Sequence, residues 1–181
     1  RCTEGVGWNY AVAAGSGLFN DMTFEQIGEA WGLVVGDDGR MVRLLDSGWQ
    51  VVPTGTTDDL RVVFGTSAGY YAAGENGVFA TLDNTDPQPD AATTTHLADA
   101  DIVDLFWPLP FDPEAAGGIE LSGLTANGCA FDLKGTEVIS CFDAQVLDGP
   151  VIGSTFWTVP MVASGRFFLT EEKLFSFTVD D

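Results

Sequence analysis

A repeated unit constrains this chain more than any other feature. Gly7-Trp8 and Gly48-Trp49 each open an extended segment, followed by a strand, a second strand, a four-residue glycine turn and a further strand. In the first copy the strands fall at 22–27, 31–35 and 40–45, with the turn Gly36-Asp37-Asp38-Gly39 before the last. In the second they fall at 60–64, 70–73 and 78–82, around the turn Gly74-Glu75-Asn76-Gly77. The copies stand about 40 residues apart, a period at which one unit cannot bury its own apolar face and must be covered by a neighbour.

The second half repeats less cleanly but has its own echo. Phe106-Trp107-Pro108-Leu109-Pro110 and Phe156-Trp157-Thr158-Val159-Pro160 share Phe-Trp-x-(Leu/Val)-Pro, each expected at the end of a first strand, with turns following at 125–128 and 170–173. Four units result, at 8–48, 49–95, 96–137 and 138–181, within one repeat domain over 1–181. Each reads as short strands rich in Val, Phe, Tyr and Thr with Gly, Asp and Asn at the turns. No stretch offers a sustained helical period with end caps, so helix content should be very low. Four strands in about 40 to 45 residues is the size of a β-propeller blade. The expectation is therefore all-β, a propeller of about four antiparallel blades or part of a larger one. An outer strand beginning at Trp8 would complete the blade that ends at 175–179. A β-sandwich is the structural rival.

The pattern Trp-x-x-Val, a strand, then an aromatic-small-Gly-x-x-Gly hairpin resembles the propeller repeats of the photosystem II assembly factor and BNR group. Asp46-Ser47-Gly48-Trp49 looks like a shortened Asp-box. The likeness covers residues 7–82 well and the remainder weakly, and it implies fold more than function. Members of that group usually have more blades than 181 residues supply.

Charge narrows the partners. The chain carries 27 acidic residues against 7 basic, a net −20, so nucleic acid and anionic membranes are poor partners. No run of about 18 apolar residues exists to span a bilayer. The first residue, Arg1, is not an initiator Met, which suggests a removed leader; an exported location (periplasmic, cell-surface or extracellular) is the expectation. Cys129 and Cys141 flank a predicted hairpin, and a register centred on Gly135 would set them opposite each other as a disulfide. Cys2 is then left over, to pair with another chain or segment or to stay free. Two buried free thiols are the alternative.

In an up-and-down blade, the connection into the next blade shares an end with the turn between strands two and three. That end should gather Asp21, Asp58, Asp59, Asp99, Asp101 and Asp148 with Asp37, Asp38, Glu75, Glu171 and Glu172. Asp21, Asp59, Asp101 and Asp148 are candidate oxygen ligands for a hard cation such as Ca²⁺, or an attraction for a basic partner; ordinary turn chemistry also explains them. Phe106, Trp107, Phe111 and Trp157 are candidate anchors for a protein partner, with core packing the duller account of the tryptophans. The Pro- and Thr-rich insertion at 83–95 reads as a solvated mobile loop.

Enzymatic readings find little purchase. His96 is the single histidine, no Gly-rich phosphate loop is present, and the five arginines are scattered. The expectation is a non-enzymatic binding or assembly subunit of an exported or cell-surface complex. The alternatives are a Ca²⁺-dependent carbohydrate-binding module and, behind it, a carboxylate glycosidase.

Overall fold

The computed structural model describes residues 17–25, 27–83, 89–107 and 121–134 with their side chains, and the backbone of strands 137–143, 151–159, 163–170 and 174–179. It is all-β. The first sheet contains β1 (Phe19–Thr23), β2 (Ala30–Gly36), β3 (Met41–Leu45) and β4 (Gly48–Val51). The second contains β5 (Leu60–Thr66), β6 (Gly69–Gly74), β7 (Val78–Asp83) and β8 (Thr93–His96). The third contains β9 (Ile102–Phe106), β10 (Leu121–Thr125), β11 (Cys129–Lys134) and β12 (Glu137–Asp143), and the fourth β13 (Val151–Val159), β14 (Ala163–Thr170) and β15 (Leu174–Val179). Every sheet is an antiparallel meander whose neighbours follow chain order. The one helical element among the described residues is a 3₁₀ turn at Glu75–Gly77.

The sequence repeat and the sheets are out of phase by one strand. Gly48–Val51, Thr93–His96 and Glu137–Asp143 lie at or beside the starts expected for units two, three and four, yet each pairs as the fourth strand of the preceding sheet. The expected outer strand at Trp8 lies outside the described residues. Two expectations are corrected. The first strand occupies Phe19–Thr23 rather than 22–27, because Gly28 at φ +58° turns the chain there and Ile27 bridges back to Ala30. The insertion at 83–95 is not wholly a free loop. Its end forms β8, and Pro89 accepts a hydrogen bond from Arg43 Nη1 at 3.0 Å while Ala92 N donates to Pro53 O at 2.9 Å.

Packing explains the unbroken apolar run in β6. One cluster joins the first two sheets, with Leu33, Val35 and Met41 against Leu60, Val63, Tyr70, Ala72 and Val78. Another joins the second and third, with Val62, Tyr71, Ala73 and Phe79 against Ile102, Leu105, Leu121 and Leu133. Tyr70 and Ala72 thus face one sheet and Tyr71 and Ala73 the other, as strand alternation requires, so the run is buried on both sides. Tyr70 also donates from its hydroxyl to Glu25 O at 2.6 Å, tying the second sheet to the first. The first strands follow one another in space: β1 packs on β5, β5 on β9 and β9 on β13.

The turns between second and third strands share one device. Asp38-Gly39 and Asn76-Gly77 hold positive φ at both residues, and Gly128 does so after Asn127. The space is also taken: a Cβ on Gly39 would lie 2.2 Å from Thr56 O, and one on Gly77 2.0 Å from Ala98 O. Both oxygens belong to the connection into the next sheet, so glycine is required for close approach as well as for conformation.

Candidate functional site

Hydrogen bonds place the acidic turns and the sheet-to-sheet connections at one end, as the up-and-down geometry requires. In each of three sheets the first turn residue donates its N–H to the carbonyl just before that sheet's first strand: Asp37 to Leu18 at 3.0 Å, Glu75 to Asp59 at 2.9 Å and Ala126 to Asp101 at 2.8 Å. Leu18, Asp59 and Asp101 are therefore equivalent positions. The carboxylates then reach backward: Asp59 Oδ1 accepts from Asp38 N at 2.9 Å, and Asp101 Oδ1 from Asn76 N at 3.0 Å. Each joins its own sheet to the turn of the sheet before it.

The remaining acids of this end are similarly engaged. Arg61 pairs with Glu75 at 2.6 Å and Asp101 at 2.9 Å. Asp58 accepts from Asn76 Nδ2 at 3.0 Å and meets His96 Nε2 at 3.1 Å. Bonds from Asn76, His96 and Thr56, in that order, hold its carboxyl below the ordinary aspartate range, outweighing the opposing effect of desolvation. Asp21 sits in β1 and accepts from Met22 N at 2.8 Å and from Val63 N of the second sheet at 2.9 Å. Asp99 is exposed, and Asp148, Glu171 and Glu172 lie outside the described residues. Among the described residues no three acids, histidines or cysteines come together as a cation site. The structure thus gives Asp21, Asp59 and Asp101 a part in holding consecutive sheets together.

The aromatic candidates separate. Phe106 ends β9 and packs beside Leu124. Trp107 is 42% exposed, and its ring meets Phe64 edge-on with centroids 5.4 Å apart. Trp157 does not end its strand: it lies within β13, paired with Gly165. Phe111 lies outside the described residues. Larger apolar exposure appears on the first sheet. Leu18 is 71% exposed, Met22 61% and Phe24 64%. Met22 begins a cross-strand row, Met22–Val34–Val42–Val51, on the face opposite the one that Leu33 and Val35 turn toward the second sheet; its two ends are exposed and Val42 within it is buried. The signal available in sequence was Leu18-Phe19 preceding Met22 and Phe24, too many apolar residues for one buried face of a short strand.

The cysteine register also differs from expectation. Lys134 pairs with Glu137, one residue off the expected register, and a bulge between Asp132 and Leu133 shifts the ladder further. Cys129 therefore faces Asp143, and Cys141 faces Phe131, leaving the two cysteines at diagonal rather than opposed positions. Cys129 is disulfide-bonded; its partner lies outside the described side chains.

At the other end of the first sheet, the β1–β2 and β3–β4 turns enclose a cleft of about 440 Å³ lined by Gly28, Glu29, Trp31, Leu45, Asp46 and Ser47. Trp31 is 44% exposed, and its indole Nε1 donates to Asp46 Oδ1 at 2.7 Å. In sequence Asp46 belongs only to a repeat motif, since Trp31, which meets it, comes from β2. No protein-family model, curated protein or solved structure matches the chain.

Proposed function

We propose that this chain is a non-enzymatic binding or assembly subunit, built as an arc of β-propeller blades, that engages another protein through the apolar face of its first sheet. The single observation that carries this reading is the exposure of Leu18, Phe19, Met22 and Phe24 around one short strand. Four large side chains left in water around one strand are the composition of an interface core rather than of an ordinary surface. Trp107 offers a second, smaller anchor. The blade geometry is supported by the four consecutive meanders and by the succession of first strands β1, β5, β9 and β13, which would line the channel. An exported location accords with the disulfide at Cys129.

The test is native mass spectrometry of the protein taken from its source, with and without chelator, beside a Met22→Glu/Phe24→Glu variant. A complex containing another polypeptide, lost in the variant and indifferent to chelator, is expected. A bare chain in both would refute the reading, and a chelator-sensitive mass increment would move attention to a Ca²⁺-dependent ligand instead.

A further inference from the structure

The cleft at Trp31 has a chemistry that the apolar face does not share. Its walls supply one large aromatic ring, two carboxylates, one hydroxyl and no basic group. Trp31 spends its single polar atom on Asp46, so the ring is fixed in place and what it still offers to solvent is π surface. Among the described residues no protein donor reaches Glu29 or the second oxygen of Asp46. Two carboxylates are far short of the six to eight oxygens that a calcium ion takes, so a bare cation is poorly served. A neutral sugar could stack on the ring and donate hydroxyls to the carboxylates, but it would leave both charges unneutralised in a molecule of net −20.

A planar organic cation uses every wall. A guanidinium stacks on an indole face while its N–H fork meets a carboxylate edge-on, and it loses less hydration than an ammonium in doing so. The volume suits one long side chain. We propose that the cleft lined by Trp31, Asp46 and Glu29 receives an arginine side chain of the partner protein. The inference rests on the partner-binding reading and adds to it a basic residue placed at the rim of the first sheet. The acidity of the chain then speeds the approach of such a partner, and the cleft fixes its register.

The experiment follows the tryptophan indole N–H signals of the full chain by NMR while blocked arginine, blocked lysine, blocked citrulline or methyl glucoside is added. A single side chain should bind weakly, with Kd on the order of millimolar. Blocked arginine is expected to shift the Trp31 signal, more weakly as salt rises, with citrulline, its uncharged isostere, leaving it unmoved. Asp46→Asn keeps an acceptor for the indole and removes charge, and should weaken arginine binding about threefold to fivefold, as should Glu29→Gln. Thermal unfolding of both variants confirms that they remain folded. An equal response to citrulline, tighter binding of the glucoside, or no response to arginine overturns the inference. A native complex that keeps full affinity in Asp46→Asn and Trp31→Phe overturns it while leaving the binding-subunit reading intact. A chain with no partner that still binds arginine retains the site and refutes the function.

Discussion

Gly55 and Gly77 make a matched pair for measuring how tightly consecutive sheets approach. Their backbones are nearly the same, at φ +74° and +70°, so alanine pays a similar conformational cost at either, about 1 kcal/mol. Their surroundings differ. Nothing lies within 4 Å of a Cβ on Gly55, whereas a Cβ on Gly77 would sit 2.0 Å from Ala98 O and 2.6 Å from its carbonyl carbon. That neighbour is backbone and cannot swing away like a side-chain tip. Relief requires moving the connection into β9, which also stretches the 2.9 Å bond from Leu97 N to Gly77 O. Overpacking of this kind costs about 1 to 3 kcal/mol, and a weakened hydrogen bond about 1 more. Gly77→Ala should therefore lose about 3 to 5 kcal/mol and Gly55→Ala about 1. In a chain of this size that is roughly 10 °C or more of Tm against about 3 °C. Urea titrations followed by circular dichroism give both values, and unchanged slopes would license the comparison. Gly39→Ala, whose Cβ would meet Thr56 O at 2.2 Å, should follow Gly77→Ala. If the two turn variants matched Gly55→Ala within about 0.5 kcal/mol, the close approach would not be a constraint and the reasoning would fail.

Removing Asp101 by alanine should cost about 1 to 2 kcal/mol, because Asn76 N–H and Arg61 both lose a partner, while Asp101→Asn, which keeps an acceptor, should cost less than about 1; equal losses in urea titration would show that the ion pair, not the N–H bond, dominates. Tyr70→Phe strands the carbonyl of Glu25 and should cost about 1 to 2 kcal/mol. Burial pushes the Tyr70 hydroxyl up to about 12, above its ordinary value near 10, so its stabilisation is present below pH 10 and lost as pH climbs toward 12. The urea midpoint of the parent should fall faster over that window than that of Tyr70→Phe, and parallel curves would contradict the assignment. Asp58 has the opposite sign: its lowered carboxyl adds stability above the ordinary aspartate range that disappears as pH falls through its folded value, and Asp58→Asn should flatten that acid limb.

Strand-forming segments were legible because their burial imposes a pattern. Tyr70-Tyr71-Ala72-Ala73 between glycine turns is too short for a helix and too apolar for a surface strand, and it is a central strand covered on both faces. The Asp-Gly and Asn-Gly turns were equally plain, since few other pairs tolerate two consecutive positive φ angles. Assigning Gly48-Trp49 to the correct sheet was harder, because a repeat seen in sequence has no intrinsic starting point and hydrogen bonding alone decides which neighbour a strand joins. The register at Cys129 differs by one residue at the Lys134–Glu137 pair and by one more at the bulge beyond it, neither of which a local residue pattern announces. For the acids, sequence placed Asp59 and Asp101 at the right end but not their partners, since the N–H groups they meet lie about 20 residues earlier in an unrelated turn. The cleft at Trp31 was hidden for the same reason, being assembled from two turns that share an end of a sheet and nothing in sequence.

The carboxylates of Asp59 and Asp101 give the array a direction. Each works as a hook that catches an eye, the bare amide of the turn one sheet earlier, so a stretch running from one hook to the next carries one hook and one eye. Such a stretch is a cassette. A duplicated copy of residues 59–100 inserted in frame would find an eye behind it and offer one ahead, whereas the same copy placed before residue 18 would meet Leu18, which has no carboxylate to extend. Lengthening should therefore be tolerated inside the array and resisted at its first sheet.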